Sequence, residues 1–411
     1  MHASNDESTN IAQDESLSAR LLSWYTLGKR DLPWRRTGDP YLIWVSEVML
    51  QQTQVKTVIP YYERFLQRFP SVELLARARL EDVLTVWSGL GYYSRARRMW
   101  EGAHYICDQF GGKMPEDFDA LLQVPGIGDY TAGAIASIAY GQRVVAIDGN
   151  VKRVLSRLLA WSEAVETVRS YRHFSDHLKV WQPAHRTGDF NQALMELGAT
   201  VCTPTKPDCE NCPLTQVCVG HLQGDALLYP VKKPKAQRQD VTRLTFVLRK
   251  GDRVYLQKRP SQGLLADLWE FPGVEISPEN VSEEGLPVVT DHEWFEYFQK
   301  TVPERAFDER VREQIGQSLT LHGPVWYTFS HRRWKIIWAI IDLPDLLYKL
   351  EPSEPLEIEP AGNSLLRELG GEYRLGEVHQ QQDNRRWVQL QDLGGMPLPV
   401  AFKAIVEDLI T

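Results

Sequence analysis

The chain has 411 residues, of which 43% are hydrophobic and 24% charged, so it is long enough for two or three globular domains with apolar cores. No apolar run approaches the roughly 18 residues of a membrane span, which argues against a membrane protein. The net charge of −8 argues against a protein that is basic throughout, yet residues 231–250 carry seven Lys or Arg against one Asp, so a local basic face for phosphates stays open.

The first 16 residues are polar and acidic, and this composition predicts a disordered tail rather than an export signal. We therefore expect a cytoplasmic protein. Residues 17–33 then predict a first helix that ends near Pro33.

A second helix is predicted after Asp39-Pro40, because apolar residues recur there at helical spacing. Glu47 lies inside this apolar run. A helix glutamate more commonly faces solvent, but a buried one has a raised pKa and can act as an acid near neutral pH. The polar residues 51–54 follow directly, and they could hydrogen-bond base edges or simply be exposed.

Residues 71–110 predict two further helices that are separated by the glycine-containing segment SGLGYYSRAR. In this segment Tyr92 and Tyr93 are followed by Arg95, Arg97 and Arg98. Aromatic residues interleaved with basic ones suit stacking on bases and pairing with phosphates, although a core role for one tyrosine is equally consistent with the sequence.

The stretch from residue 121 to 158 predicts a helix, a glycine hairpin and a second helix. Bare N–H groups of Gly126 and Gly128 at a helix N-terminus would attract an anion such as phosphate. An apolar run then ends on Asp148, where the pKa of a carboxylate can be tuned by its surroundings. The alternative, about equally favoured by spacing alone, is a tight helical turn with Asp148 as an ordinary N-cap.

Four of the five cysteines lie within 17 residues, in the pattern C-x6-C-x2-C-x5-C formed by Cys202, Cys209, Cys212 and Cys218. Such crowding in a chain without an export signal favours a metal centre over disulfides. Zinc sites usually pair two CxxC knuckles or include histidine at wider separation, whereas four closely spaced thiolates can wrap a [4Fe–4S] cluster. We favour the cluster and keep zinc as the alternative; the cluster could be redox-active or could fold the loop.

The predicted organisation is a disordered tail over 1–16, an all-α region over 17–225, a linker over 226–240 and a separate α+β domain over 241–411. The all-α region comprises a six-helix module over about 34–150 and a cysteine-containing module from 17–33 and 151–225. In the last domain, alternating segments predict a hairpin at Gly251-Asp252 and a turn at Phe329-Ser330-His331.

These motifs resemble the endonuclease III superfamily of helix-hairpin-helix DNA glycosylases. The hairpin VPGIG, the aspartate of DGNV and the cysteine loop match that superfamily in order and spacing. Within it the chain is similar to the adenine DNA glycosylases of the MutY type, in the segments WVSEVMLQQT and GLGYYSR. Tyr130 stands where lyase-competent relatives carry a Schiff-base lysine. The segments GLLADLWEFPGVE and FSH resemble the Nudix-like C-terminal domain of that family.

The resemblance implies an all-α helix-hairpin-helix glycosylase core with an iron–sulfur cluster loop, plus an α+β Nudix-like domain that helps recognise 8-oxoguanine. It covers about residues 17–411. Gly273 and Glu279 fit the start of a Nudix box, but Pro287 and Val288 stand where Arg-Glu is required. Without that carboxylate set nothing would hold the metal ions, so we expect a binding module rather than a hydrolase.

The resemblance also implies removal of adenine that is mispaired with 8-oxoguanine or guanine in double-stranded DNA, with the nucleoside flipped out of the stack. The glycosidic bond breaks with positive charge on the sugar, which requires an acid and an anion. Glu47 is expected to protonate adenine N7, and Asp148 to stabilise the sugar cation or capture it covalently. Asn150 is expected to orient Asp148, with Tyr130 assisting nearby.

Further residues are assigned to DNA by the same resemblance. The base pocket is expected to be lined by Trp34, Arg35, Leu50, Val55 and Gln192. Gln52 and Tyr92 are candidate wedges, with Thr53 beside them; Phe329, Ser330 and His331 are expected at the lesion, and Gly126 and Gly128 at a backbone phosphate. We expect a monomer in the cytoplasm, associated with the nucleoid and not with a membrane.

Two rival functions remain compatible with parts of the sequence. One is a pyrimidine-specific glycosylase and lyase of the endonuclease III kind, against which Tyr130 and the added domain argue. The other is a non-catalytic iron–sulfur protein with a DNA-binding or redox role, against which the pair of Glu47 and Asp148 argues.

Overall fold

A computed structural model describes residues 5–234, 237–276, 296, 320–329, 331–343 and 384–410, with side chains described from residue 17 onward. The chain divides into two compact units, Met1–Lys235 and Ala236–Thr411. This division lies inside the predicted linker. Across the described ranges no helix combines the length and the apolar character that crossing a membrane requires.

The described part of the first unit is helical throughout, as predicted. Its α-helices are α1 (Asn5–Gly28), α2 (Pro40–Leu50), α3 (Val55–Arg68), α4 (Val72–Arg77), α5 (Leu80–Trp87), α6 (Ser94–Phe110), α7 (Phe118–Leu122), α8 (Asp129–Tyr140), α9 (Gly149–Leu158), α10 (Val168–Trp181), α11 (Thr187–Thr200) and α12 (Val219–Leu222).

Two features of the helices differ from the sequence predictions. Helix α1 begins at Asn5 rather than at residue 17, because the acidic segment we predicted as disordered contains no proline or glycine to end a helix. Residues 71–110 form three helices instead of two, since the chain leaves the helical region at Ala78 and α5 restarts after Arg79, which pairs with Asp82.

Helix α2 packs against α3, α6 and α8. The Asp39 side chain caps its N-terminus by accepting hydrogen bonds from the N–H groups of Tyr41 and Leu42, and Pro40 occupies the first helical position. Residues 43–49 of this helix are all buried, Glu47 among them. A helix that is apolar all round must lie inside its domain, and any polar group on it is then desolvated.

A second core joins α1, α9, α10 and α11 next to the cysteine loop. The first residues of the predicted linker are part of this region. Ala226 and Tyr229 accept hydrogen bonds from the Arg157 guanidinium through their carbonyl oxygens, and the carbonyl oxygen of Val231 accepts the N–H of Val165. The N–H of Lys233 also donates to Glu166 Oε2 at 3.4 Å, so residues 226–233 of the predicted linker contact the helical unit.

The described part of the second unit contains a mixed sheet. Its described elements are β1 (Gln239–Lys250), β2 (Arg253–Lys258), β3 (Trp269–Glu270), β4 (Gly273–Ile276), β5 (Leu321–Thr328), β6 (Arg332–Asp342), β7 (Arg385–Gln389) and the helix α13 (Lys403–Ile410). The strand order is β3-β2-β1-β6-β5, with β4 pairing with β1 and β7 with β2.

Strand pairing in the second unit agrees with the sequence analysis. The predicted hairpin joins β1 and β2 as antiparallel neighbours, with Lys250 opposite Arg253 and Gly251 at φ +58° in the turn. The central strand β1 pairs in parallel with β6, whereas the other described pairs are antiparallel. The α+β class is therefore confirmed. Glu279, Pro287 and Val288, which decide the Nudix-box interpretation, lie outside the described residues.

Candidate active site

Glu47 lies in the middle of α2 with 6% of its surface exposed. The hydroxyl of Tyr130, on α8, donates a hydrogen bond of 2.5 Å to its Oε2. Burial raises the pKa of Glu47 to about 7, while the Tyr130 hydrogen bond and the positive charge of Arg35 lower it and the negative charge of Asp148 raises it further. A carboxyl group with this pKa can give up or take a proton near neutral pH.

Tyr130 is hydrogen-bonded to Glu47 and lies within electrostatic reach of Asp148. Burial, the charges of Glu47 and Asp148 and the hydrogen bond to Glu47 together raise its pKa well above the ordinary value, so its hydroxyl keeps its proton. The same hydroxyl contacts the Met195 sulfur, on α11, at 3.6 Å. Tyr130 is therefore a fixed hydrogen-bond donor and not a base.

Asp148 is the N-cap of α9, as the simpler interpretation of the sequence predicted. Its Oδ1 accepts the N–H of Val151 at 2.7 Å, and its Oδ2 accepts the Asn150 side-chain amide at 2.9 Å. Burial nevertheless raises the pKa of Asp148, against the lowering effect of these hydrogen bonds. The capping role does not exclude a catalytic one, because the carboxylate is held in place while its charge acts on Glu47 and Tyr130.

Asn150 links Asp148 to the cysteine loop through Arg153, one turn further along α9. The Arg153 guanidinium donates to Asn150 Oδ1 at 2.9 Å, to the Gly198 carbonyl at 2.8 Å and to the Cys202 carbonyl at 2.8 Å. A Cβ on Gly198 would lie 2.6 Å from the Cβ of Asn150, so only glycine allows this close approach of α11.

The four predicted cysteines line one common cavity, together with apolar side chains of α9 and α11. The Arg157 guanidinium donates to the Cys202 sulfur at 3.3 Å. Burial raises the pKa of the Cys212 thiol to about 12. This thiol therefore loses its proton near neutral pH only when a positively charged group binds the sulfur. Four convergent thiols fit a thiolate-bound group, although among the described residues no set of three or more His, Cys, Asp or Glu is arranged to hold a single metal ion.

Arg35 is fixed by a buried acid that the sequence analysis did not identify. Glu196, on α11, is 1% exposed and accepts hydrogen bonds of 2.7 Å from Arg30 Nε and 2.8 Å from Arg35 Nη2. These hydrogen bonds outweigh burial and hold the pKa of Glu196 at about 2. The positive charge of Arg35 lowers the pKa of Glu47, so the ion cluster of Arg30, Arg35 and Glu196 acts on the candidate active site.

The predicted phosphate hairpin has the expected geometry. Gly126 adopts φ +84°, and a Cβ there would lie 2.7 Å from the Cβ of Arg98, so glycine is required at this position. Gly128 is the exposed N-cap of α8. Within the described part of the chain the N–H groups of Gly126 and Gly128 have no protein acceptor, which leaves them available to an anion.

Gln52 and Tyr92 line a separate pocket of about 190 Å³ beside this hairpin. Both are exposed, and both have the positive φ that non-glycine residues rarely adopt, 57° for Gln52 and 50° for Tyr92. Gly126, Arg98 and Ser94 line the same pocket. The structure thus brings the two candidate wedges and the phosphate hairpin to one surface.

The structure describes all but one of the remaining predicted residues. Trp34 is buried and meets the ring of Tyr62 edge-on, at a centroid distance of 5.5 Å. Leu50 ends α2, Thr53 and Val55 follow it, and Gln192 lies on α11; all are partly exposed. In the second unit Phe329 packs on Trp334 and His331 is exposed, while Ser330 lies outside the described residues.

Three residues that shape the site, Arg95, Arg153 and Glu196, were missed or misassigned from the sequence. Arg95 was interpreted as a phosphate ligand, yet it is 8% exposed and bonded to the backbone of two loops. The spacing of Asn150 and Arg153 on one helix could have indicated their contact. No local signal indicates that Glu196 faces two arginines from the other end of the unit.

Two family profiles match the chain. One is the HhH-GPD superfamily of base excision DNA repair proteins, over residues 45–183, and the other is the NUDIX domain, over residues 244–408. These ranges fall in the first and second units respectively.

Among known proteins, the chain is 42% identical over 324 residues to the adenine DNA glycosylase of Homo sapiens, covering 66% of this chain and 59% of that protein. It is 36% identical over 265 residues to the adenine DNA glycosylase of Buchnera aphidicola subsp. Schizaphis graminum, covering 64% of this chain and 76% of that protein. The chain thus spans about 59% of the length of its human relative. A solved thermostable thymine-DNA glycosylase is 27% identical, with 53% of this chain and 99% of that chain covered and a TM-score of 0.49.

Proposed function

This chain belongs to the adenine DNA glycosylase family, and from that premise we propose that it hydrolyses the N-glycosidic bond of adenine mispaired with 8-oxoguanine or guanine in double-stranded DNA. The observation that carries the proposal is the buried Glu47–Tyr130 pair with Asp148 within electrostatic reach. Cleavage of the glycosidic bond is accelerated by a proton on the leaving base and by a negative charge near the sugar. In this proposal the two carboxyl groups supply them.

Glu47 is the acid in this proposal. Its pKa of about 7 keeps the protonated form available near neutral pH, which suits transfer of a proton to adenine N7. The Tyr130 hydroxyl then stabilises the carboxylate that remains, because it stays protonated and already donates to Oε2. The bond between adenine and the sugar breaks as the base leaves with its new proton.

Asp148 is the anion. Burial raises the pKa of Asp148, and two hydrogen bonds, from the Val151 N–H and the Asn150 amide, act in the opposite direction and favour its charged form. The carboxylate stabilises the positive charge on the sugar or captures the sugar covalently, before water completes hydrolysis. Two acids with opposite tasks thus follow from two different environments.

Opening of the duplex is assigned to the surface with Gln52, Tyr92 and the Gly126–Gly128 hairpin. The free N–H groups of the hairpin would hold a backbone phosphate, and the two exposed side chains would fill the gap left by the flipped nucleoside. In the second unit, Phe329, Ser330 and His331 are proposed to contact 8-oxoguanine, by the resemblance of the FSH segment.

We propose that Cys202, Cys209, Cys212 and Cys218 hold a [4Fe–4S] cluster. Their common cavity, the Arg157 hydrogen bond to Cys202 and the unequal spacing without histidine support this assignment. When bound, the cluster would fix the loop between α11 and α12. The purified protein should contain iron and acid-labile sulfide in equal amounts; one zinc ion per chain without sulfide would overturn the assignment.

The decisive experiment is single-turnover base release from a duplex with one adenine opposite 8-oxoguanine. The unmodified protein should release adenine, whereas Glu47→Gln and Asp148→Asn should each lose activity by at least about a thousandfold while duplex binding persists. Near-normal rates in either variant would remove that residue from the mechanism.

Two further measurements separate this proposal from its rivals. Tyr130 provides no amine for a Schiff base, so strand cleavage should appear only after alkali treatment, and borohydride should trap no covalent complex in good yield. Ser330→Ala should reduce the preference for 8-oxoguanine over guanine opposite adenine. Efficient trapping would instead support a lyase, and unchanged discrimination would remove Ser330 from lesion recognition.

A further inference from the structure

Arg95, on α6, is a buried cation whose hydrogen bonds go to the C-terminal end of α2. Its Nη1 donates to the carbonyl oxygens of Val48 and Met49 at 2.8 Å each, and of Gln51 at 2.6 Å. These carbonyls belong to the last turn and the C-cap of α2, where backbone acceptors have no partner inside the helix. The guanidinium thus supplies hydrogen-bond donors to the free carbonyl groups at the C-terminal end of α2.

A second set of hydrogen bonds joins Arg95 to Thr53, after α2, and to the loop that precedes its own helix. Its Nη2 donates to the Gly91 carbonyl and to the Thr53 hydroxyl at 3.1 Å each, and its Nε donates to the Tyr92 carbonyl at 3.4 Å. The guanidinium also lies 5.3 Å from the centre of the Tyr92 ring. One planar group therefore connects residues 48–53 with residues 91–92.

The negative end of a helix compensates the charge of Arg95. Its partners among the described residues are carbonyls, one hydroxyl and aromatic faces, and none is a carboxylate. Burial lowers its pKa to about 10, so it remains charged at neutral pH. Lone charges are rarely buried without such compensation, and here the carbonyl dipoles of α2 supply it.

Both loops tied by Arg95 contain a strained residue. Gln52 lies between two residues that accept from the guanidinium, and Tyr92 accepts from it directly. Their φ values of 57° and 50° lie in the left-handed region, which non-glycine residues adopt only at an energetic cost that surrounding contacts must compensate. Both side chains line the same pocket of about 190 Å³. The strain is thus located at the two side chains that the proposed function assigns to duplex opening.

We propose that Arg95 is a positioning residue that holds Gln52 and Tyr92 at a fixed separation, so that both enter the duplex together without reorganisation of their loops. The inference rests on the proposed function for the role of these two side chains, and on the hydrogen bonds above for the rest. Loss of the guanidinium would remove the hydrogen bonds of both loops at once, because one group makes them all.

The first test follows base extrusion without chemistry. In a Glu47→Gln background, a duplex with 2-aminopurine next to the target adenine reports unstacking as a rise in fluorescence. Arg95→Met should slow this rise or reduce its amplitude by at least about tenfold. Without the guanidinium, Gln52 and Tyr92 must be ordered anew each time a base is extruded. Arg95→Lys should recover part of the signal, since an ammonium group donates to carbonyls but lacks the planar fork.

Arg79→Met is the matched control for this test. It removes the same charge from an exposed side chain that pairs with Asp82 at the start of α5, and it should leave the fluorescence rise unchanged. A folded Arg95→Met protein that extrudes the base as fast as its parent would overturn the proposal. So would an equal loss in the Arg79 variant.

The second test measures strain and is independent of DNA and of activity. Glycine adopts positive φ without steric cost, so Gln52→Gly and Tyr92→Gly should each raise the melting temperature of the parent. They should raise that of Arg95→Met by less, because loss of the guanidinium already lets both loops leave the strained conformation. If Arg95→Met does not fold, Arg95→Lys takes its place in the same cycle. Additive shifts would contradict the proposal, and they would do so even if the protein released no adenine, which separates this failure from that of the proposed function.

Discussion

At the level of single side chains, the ionisation of Glu47 is set by groups on three other segments. Burial in α2 favours the protonated form, the Tyr130 hydroxyl and the Arg35 charge favour the carboxylate, and the Asp148 charge opposes it. The pKa of about 7 is the result of this competition. Each of these groups can be changed without removing the acid, so its contribution can be measured.

Removing the Tyr130 hydroxyl should move the alkaline limb of the pH–rate profile. The hydroxyl stabilises the Glu47 carboxylate, so Tyr130→Phe raises the pKa of Glu47 and keeps it protonated to higher pH. The midpoint of the alkaline limb in single-turnover base release should therefore rise, even though the maximal rate falls. Tyr140→Phe, on the same helix, is the control, because its hydroxyl donates to the Met114 carbonyl instead. A midpoint that stays or falls would contradict this account.

The buried acid should also destabilise the fold at high pH. The pKa of Glu47 is raised from 4.5 unfolded to about 7 folded, so the stability present below pH 4.5 is lost as pH rises through 7. Glu47→Gln removes this dependence. Its stability relative to the parent should grow between pH 4 and 8.5 by up to about 3 kcal/mol, measured by denaturant unfolding. Glu101→Gln, an exposed change on α6, should show no such growth.

At the level of elements, α9 joins the candidate catalytic aspartate to the cysteine loop. Asp148 caps its N-terminus, Asn150 holds Asp148, and Arg153 holds Asn150 while donating to the Cys202 carbonyl. A helix is stiff over this distance, so the position of the loop and that of the carboxylate are fixed together.

Arg153→Met should therefore slow base release without weakening DNA binding. The change frees the Asn150 amide and lets Asp148 adopt other rotamers, and a misplacement of about 1 Å can cost up to about a hundredfold in rate. Single-turnover kinetics and duplex titration measure the two effects separately. Arg169→Met, which removes a charge exposed to 76%, should leave both unchanged. Parallel losses of rate and affinity would point to general unfolding instead.

The elements of this protein could be predicted from the sequence where local patterns decide them. The hairpin at Gly251 and the helix that Asp39 caps both follow from turn and capping residues that act over a few positions. Contacts between distant segments could not be predicted in this way. Glu196 meets Arg30 across 166 residues, and Arg95 reaches residue 48 across 47, so only the fold defines these partners.

At the level of the whole molecule, net charge and local charge oppose each other. The chain carries −8, yet residues 51–100, which include the loops at the pocket, carry eight Lys or Arg against four Asp or Glu. Arg98 is exposed and lies against Gly126 of the hairpin. Because salt screens charges beyond about 8 Å at physiological ionic strength, a bound duplex responds to the charges it touches and little to the total.

The salt dependence of duplex binding shows whether the local charges or the net charge govern it. The logarithm of the duplex association constant should fall linearly with the logarithm of salt concentration, because phosphate contacts release counterions. Arg98→Met should reduce the magnitude of this slope by about 1, as expected for one lost phosphate contact. Arg79→Met changes the net charge equally from a side chain paired with Asp82. If local charge governs binding, the second variant keeps the parental slope; if total charge governs it, the two variants shift together, and the assignment of Arg98 to a phosphate is wrong.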